Sequence, residues 1–421
     1  MRFITAQKFF SVFFVIAIFA ASAVNMYVQR DKFKYDLAQL TLPDSEDSAR
    51  VAFKAIQGSV NSNITGKFRF LDMHAYLQAL MGKNEISDFK YIRSISGALN
   101  FGNMFPVDTS LLPEFAERVH RFKQLVSEQG NRFLFLNPPD LVIRGGTRYV
   151  RGMPYQDFNV CQDILLDRLR EYDVDCLDLR DSLAKSGIGP EDMLFKTDHH
   201  WTIETCFQAF INLVDKLEED KPGTLDPDGY YRDRNNYNSR TYPSSSLGST
   251  GRGAGMAFSG LDDYTIIWPK FKREYHVDKV DQWAGPHSIK GDTEKALLHN
   301  AALESDEPYL MLTYNFYLGG LVSWAKILNL DNPDGPKLLM VNDSFGIPLA
   351  TFLAPMFSEV QLIWPLAENY RKEVEPYVRE NHFDYVIVEL IPSNFIDEGF
   401  NFFREKNQTP KNKVIGIEEI E

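Results

Sequence analysis

Cysteine is scarce: Cys161, Cys176 and Cys206 are the only three in 421 residues. Their odd number and their spacing fit neither a paired-cysteine zinc site nor a Cys-x-x-Cys redox motif. A small disulfide-stapled scaffold is excluded, and the three read as small buried apolar residues. If the protein is exported, one disulfide among them stays open, since sequence does not assign it. Cationic runs are lacking as well. With 45 Lys and Arg against 58 Asp and Glu, the formal net charge is −13. No basic block is long enough to track a phosphate backbone, so nucleic acid is not an expected partner. Apart from His199 and His200, the histidines stand singly, at His74, His120, His276, His287, His299 and His382. There is no His-x-His or His-x-x-x-His pattern of the kind that holds a metal. Internal repeats are absent.

The chain does have core material: 44% apolar residues, 32 Phe and 19 Tyr against 24% charged residues. Such a composition folds, and at this length it makes one large α/β domain with insertions, or two domains. An uncharged run from Phe9 to Val28 follows Arg2 and Lys8 and is closed by Arg30, Lys32 and Lys34. It is long enough to cross a bilayer as a helix, and residues 1–28 are expected to be a signal anchor. Ala21-Ser22-Ala23 also fits a signal-peptidase site, which makes cleavage the alternative; the apolar stretch continuing past it favours the anchor. The expected location is the cell membrane, single-pass with the folded part outside the cytoplasm, or secreted or periplasmic after cleavage. Residues 29–65 read as a stalk, and 66–421 as the folded domain.

Strand-like apolar runs lie at Arg132–Leu136, Val174–Leu179, Lys337–Val341, Glu359–Ile363 and Asp384–Val388. Helix-period segments fill the gaps, at Pro113–Gln129, Asp157–Tyr172, Thr202–Glu219, Pro348–Phe357 and Glu368–Asn381. This alternation predicts a doubly wound, mostly parallel sheet, with any site at the carboxyl ends of its strands. The segment at about 221–335 breaks the rhythm with Gly-, Ser- and Tyr-rich stretches such as Tyr242–Gly255, and with a short strand pattern at Asp263–Trp268. It reads as an insertion of the lid or substrate-binding kind.

The densest polar constellation is Lys196-Thr-Asp-His-His-Trp-Thr202, just ahead of an amphipathic helix with Ile203, Cys206, Phe207, Phe210, Ile211, Val214 and Leu217 on one face. A plain reading makes Asp198 or Thr202 the helix cap. A chemical reading needs a partner, and Asn342-Asp-Ser-Phe-Gly346 supplies one: a serine at a strand-to-helix turn, exposed at the sheet edge. Asn, Asp and Ser are also ordinary turn residues. Together the segments are worth more. A serine hydroxyl needs an imidazole to take its proton, and the imidazole needs a carboxylate to fix its tautomer. Ser344 then attacks an acyl carbon, His200 is general base and acid, and Asp198 orients His200. Asp343 reads as structural and His199 as packing or hydrogen bonding beside the trio. Zinc held by Asp198, His199 and His200 is the less favoured alternative, so no metal or cofactor is expected.

Thr197-Asp-His-His-Trp-Thr202 followed later by Asp343-Ser344-Phe345 resembles the SGNH-hydrolase-like domain of alginate O-acetyltransferases and the related bacterial DHHW proteins. In that group too the Asp-x-His pair precedes the serine. The resemblance covers about residue 66 to the C-terminus, with the two motifs as its sharp points. It implies the same triad, Ser344, His200 and Asp198. It also implies a glycine and an asparagine as further oxyanion donors, for which Gly248 and Asn394 are candidates. Asn137-Pro-Pro-Asp140 follows a strand and could line the site, and Tyr314, Asn315 and Tyr317 are candidate sugar contacts. The implied function is an exported serine O-acyltransferase that acetylates a polysaccharide hydroxyl through an acyl-serine intermediate, with a multi-pass membrane acyltransferase as donor partner. A carbohydrate esterase using the same triad, and a non-catalytic glycan-binding or assembly factor of the envelope, are the alternatives.

Overall fold

Along the strand Lys337–Asn342 successive side chains enter different cores: Leu338 and Met340 belong to one apolar cluster, Leu339 and Val341 to another. A strand apolar on both faces must be covered on both, and the architecture follows from that requirement. The computed structural model describes residues 2–38, 40, 48–220, 222–282, 284–305, 307–311, 313–367 and 373–403. Most of the middle of the expected stalk (39 and 41–47), the start of the helix expected at Glu368–Asn381, and residues 404–421 lie outside the described residues.

Two compact units are present, Met1–Tyr76 and Leu77–Glu421. In the first, the apolar run forms the helix Arg2–Val28, of which Lys8–Val28 is long and apolar enough to cross a membrane or to serve as a signal sequence. The stretch read as a stalk carries two helices, Arg30–Ala38 and Ser48–Ser62. Side-chain hydrogen bonds fasten them. Asp36 Oδ2 accepts from Ser59 Oγ at 2.6 Å and from Asn63 Nδ2 at 2.7 Å. Asn25 Oδ1 accepts from the Thr65 N–H at 2.7 Å.

The second unit is α/β. It begins with a small antiparallel meander of β1 Glu85–Ile86, β2 Tyr91–Arg93 and β3 Leu99–Phe101. The further strands are β4 Arg132–Asn137, β5 Cys176–Asp178, β6 Tyr237–Ser246, β7 Asp262–Pro269, β8 Glu274–Asp281, β9 Gly285–Asp292, β10 Val322–Asn329, β11 Lys337–Asn342, β12 Glu359–Ile363 and β13 Tyr385–Glu389. Eight of them make one sheet in the order β5-β4-β13-β11-β12-β10-β8-β9. From β5 to β12 every pairing is parallel. β10, β8 and β9 continue the sheet antiparallel.

Ile203–Leu217 and Gly346–Leu353 pack on one face, and Leu112–Glu128, Asn159–Glu171 and Val374–Glu380 on the other, as double winding requires. The expected strand Val174–Leu179 shortens to β5, whose last residue, Asp178, caps the next helix by accepting the Arg180 N–H at 3.1 Å and so ends the strand before Leu179. The segment expected as an insertion is not all excursion. It supplies β8, β9 and β10 to the main sheet, while β6 and β7 pair separately. Cys161, Cys176 and Cys206 are unpaired, the first and last buried.

Candidate active site

Three neighbouring parallel strands, β4, β13 and β11, end on the same edge of the sheet, and the loops that leave them meet there. Strand β11 delivers Asn342 and Asp343 into the interior and Ser344 to the edge, immediately before the helix Gly346–Leu353. The turn is tied down by Asp343. Its Oδ1 accepts the Phe345 N–H at 3.0 Å, and its Oδ2 accepts the Ile391 N–H at 2.7 Å and Asn394 Nδ2 at 2.8 Å. Burial pushes the Asp343 carboxyl up, and those three donors oppose the rise. The residue read as structural thus joins the Ser344 turn to the loop after β13. Among the described residues no acceptor takes the Ser344 N–H.

The histidine loop is a tight hairpin. Phe195 N–H donates to His200 O and Thr202 N–H to Met193 O, both at 3.0 Å. Thr197 anchors it: its N–H and hydroxyl donate to Asp262 Oδ2 at 2.8 and 2.6 Å. Thr202, not Asp198, caps the helix Ile203–Leu217, accepting the Thr205 N–H at 3.3 Å. Asp198 is therefore left for other work. Its Oδ1 lies 2.7 Å from His200 Nδ1, and its Oδ2 accepts the Ser249 N–H at 3.1 Å. On the far side of the ring, His200 Nε2 lies 2.7 Å from Ser344 Oγ, although the two residues are 144 positions apart. Tyr314 stacks on the imidazole with ring centres 3.7 Å apart and planes 18° from parallel, which holds the ring in this orientation. Burial alone would raise Asp198, but the His200 imidazole and its hydrogen bond hold the carboxyl well below the usual carboxylate range. His199 is pushed down to about 3, by burial and then by His200. Its Nδ1 lies 2.9 Å from Ser249 Oγ. The possible ligand atoms of Asp198, His199 and His200 lie within 4.8 Å of one another. Both His200 nitrogens already have partners, so a metal held there would have to break one of these contacts.

Ser344 and His199 open onto a cavity of about 340 Å³. Pro139 and Asp140 line it from the loop after β4, and Ile391, Ser393 and Asn394 from the loop after β13. Asn394 thus stands in the cavity wall. Gly248 does not line it; its N–H donates to Thr197 Oγ1 at 2.8 Å, and a Cβ there would come 2.3 Å from Asp198 Cβ. That glycine makes room for Asp198. Tyr314 is buried against His200, and Asn315 packs over Gly320, outside the lining. The Tyr317 hydroxyl donates to Ile267 O at 2.9 Å and is buried. Asn137 faces away from the cavity, donating to Asp178 Oδ1 at 2.9 Å and accepting from Gln162 at 3.0 Å. The sequence reading missed a whole wall: Asn100, Phe101, Gly102 and Asn103 from β3 and beyond, with Gln156 and Phe158. A three-residue strand has too few positions to display a period.

No family model matches the chain, and no curated protein matches it in sequence. Solved structures do match in fold. PatB1 of Bacillus cereus, solved with a sulfonyl adduct, superposes with a TM-score of 0.59 at 16% identity, over 75% of this chain and 100% of that one. A DHHW family protein from Eubacterium siraeum superposes with a TM-score of 0.53 at 15% identity, over 75% of this chain and 99% of that one. At the level of fold, the chain matches the group its two motifs resemble. These neighbours are similar in architecture, and the geometry of the Asp198–His200–Ser344 chain stands independently of them.

Proposed function

We propose that this protein is a serine O-acyltransferase that moves an acetyl group onto a hydroxyl of a cell-surface or secreted polysaccharide. One observation carries the reading: Ser344 Oγ, His200 Nε2, His200 Nδ1 and Asp198 Oδ1 are joined in series by two 2.7 Å contacts at the edge of an open cavity. In the proposed cycle His200 Nε2 takes the Ser344 proton as Oγ attacks the acyl carbon of the donor. Asp198 accepts from Nδ1–H and stabilises the imidazolium. The leaving group departs with the proton held on Nε2, and an acetyl-serine remains. A sugar hydroxyl then gives its proton to Nε2 and attacks the acyl carbon, regenerating Ser344 and releasing the sugar ester. The free Ser344 N–H, with the Asn394 amide in the same cavity wall, is the proposed oxyanion site. The helix Lys8–Val28 acts as a signal anchor that keeps the domain outside the cytoplasm, where a multi-pass membrane acyltransferase supplies the acyl group. The acetyl group and the polysaccharide rest on the resemblance of the two motifs.

The test is labelling of the full-length protein with a fluorophosphonate. Wild type should be marked, and Ser344→Ala and His200→Ala should not; equal labelling of all three removes the assignment. Incubation with 4-nitrophenyl acetate and an oligosaccharide separates transfer from hydrolysis. Ester on the sugar supports transfer, whereas free acetate alone makes the protein an esterase.

A further inference from the structure

Away from the sheet, one helix leaves an apolar face uncovered. It is Lys67–Leu80, just after the stretch read as a stalk, and in it Phe70, Met73 and Tyr76 are 61, 58 and 58% exposed. At about 100° per residue the three share one arc of about 120°. On the other side Phe68 and Leu71 are half-buried, so the helix is apolar nearly all round, a pattern that calls for a cover on both sides. Its charges are also set against its own dipole. Lys67 and Arg69, both exposed, stand in the first turn, which holds no acidic residue, although the N-terminal end of a helix favours anions. An external anion beside that turn relieves the conflict. Side-chain hydrogen bonds fix where the helix starts. Asn25, in the last turn of the apolar span Lys8–Val28, accepts the Thr65 N–H at 2.7 Å and donates from Nδ2 to Asn63 O at 3.1 Å. Gln29 Nε2 donates to Thr65 Oγ1 at 3.1 Å. Gly66, at φ +73°, then turns the chain into the helix. Lys67 is thus two positions from a residue held against the end of the span.

We infer that Phe70, Met73 and Tyr76 seat this helix on the surface of an anionic phospholipid bilayer, with Lys67 and Arg69 among the headgroups. The inference rests on the reading of Lys8–Val28 as a membrane anchor and adds a second membrane contact to it. With that helix across the bilayer, Asn25 lies near its outer boundary, and the hydrogen bonds to Asn63 and Thr65 bring the start of the second helix to the level of the headgroups. The exposed face then begins beside the apolar layer that covers it. The long stems of Lys67 and Arg69 let their charges stay among phosphates while the neighbouring Phe70 ring sinks deeper. Tyr76, an apolar ring with a polar tip, suits the boundary itself. Anionic headgroups supply the charge that the first turn lacks.

The test is the fluorescence of full-length Phe70→Trp in nanodiscs of phosphatidylcholine and phosphatidylglycerol, with and without lipid brominated near the top of its acyl chains, after subtraction of the wild-type emission. Brominated lipid should quench the added emission by about half or more, because an interfacial helix sinks its apolar face roughly 5–10 Å into the acyl boundary. Met73→Trp should behave alike. Tyr35→Trp, on the helix Arg30–Ala38 about 10 Å beyond Val28, should be quenched less than half as much. Omitting phosphatidylglycerol, or introducing Lys67→Gln with Arg69→Gln, should lower the quenching about twofold. No quenching at either reporter, or equal quenching of Tyr35→Trp, overturns the inference, and quenching that ignores both the lipid charge and the two cations overturns the anionic surface. Blue-shifted, unquenched emission that appears only with two copies per disc gives the face to a second copy and overturns it as well. Carbonate extraction from vesicles reports separately on the anchor. A chain that stays with the vesicles while residue 70 is unquenched refutes the surface contact alone, whereas a chain that is released refutes both.

Discussion

Replacing Asp198 with asparagine isolates the electrostatic part of the site from its architecture. In the wild type, Asp198 Oδ1 faces His200 Nδ1 at 2.7 Å while Oδ2 accepts the Ser249 N–H at 3.1 Å. An asparagine amide can keep its oxygen toward Ser249 only by turning its NH₂ toward His200. Nδ1 must then accept, which places the ring proton on Nε2, the atom that must take the proton of Ser344. The imidazolium also loses its counter-charge. Both effects fall on the proposed acylation step, for which a loss of about 10³–10⁴, or about 4–5 kcal/mol, is expected. The fold should survive, because the Ser249 N–H keeps an acceptor; for a folded unit of this size a melting shift below about 1 °C corresponds to less than about 1 kcal/mol. Stability gives a further signature. Asp198 has its folded pKa depressed, so its contribution is fully present above the unfolded value near 3.9 and is lost only as pH falls below it. Between pH 5 and 9 the titration of Asp198 itself therefore adds no pH dependence to the difference in stability between variant and wild type. The measurements are the burst rate with 4-nitrophenyl acetate in stopped flow and thermal melts across that range. A variant with an unchanged melt and a burst within tenfold of wild type would refute the role given to Asp198.

Two other substitutions probe how the site is supported. Gly248→Ala puts a Cβ 2.3 Å from Asp198 Cβ and 2.4 Å from Thr197 O. It should destabilise the fold by about 1–3 kcal/mol and slow the burst by displacing the carboxylate; a normal melt and a normal burst would contradict the packing described. Asp140 has its folded pKa raised to about 7 by burial. The neutral form is thus favoured in the folded state, and this contribution is present below the unfolded value and lost as pH rises from about 4 to about 7. Asp140→Asn should match wild type in melting temperature near pH 4 and exceed it near pH 8, by a margin corresponding to a few kcal/mol at most. A melting difference that does not change with pH would show that Asp140 is not held in this way.

The parts of the chain that were legible share a physical property: their side chains repeat with the period of the backbone that carries them. The runs at Arg132–Leu136, Lys337–Val341 and Glu359–Ile363 fall on β4, β11 and β12, because strands buried on both faces are apolar without interruption. The helix Ile203–Leu217 was marked by its apolar stripe and by Thr202 ahead of it. The meeting of His200 with Ser344 was legible by chemistry rather than by pattern. An imidazole beside a carboxylate and a serine at a strand edge are each half of one proton-transfer device, and parallel strands deliver their loops to a common edge.

What was not legible lies where the backbone does without periodicity. Strand β9 is an exposed, polar edge, Gly285-Pro-His-Ser-Ile-Lys-Gly-Asp292, so its composition reads as loop although it pairs along its length with β8. The cavity wall from Asn100 to Asn103 grows out of a three-stranded meander whose longest members have three residues. Gly248 illustrates the deeper difficulty. A glycine ahead of a short helix can be a donor to an oxyanion or a gap that lets another residue approach, and the same letter serves both. Only the position of Thr197 Oγ1, which takes the Gly248 N–H at 2.8 Å, decides between them. Asp140 is a different case: its place in a loop after a strand marked it as a residue that could line the site, and it does. Its near-complete burial, which pushes the carboxyl up to about 7, is a property of what surrounds the residue in space. Residues that carry the proposed reaction can therefore be found from their own chemistry, whereas residues that shape the space around them are defined by their neighbours.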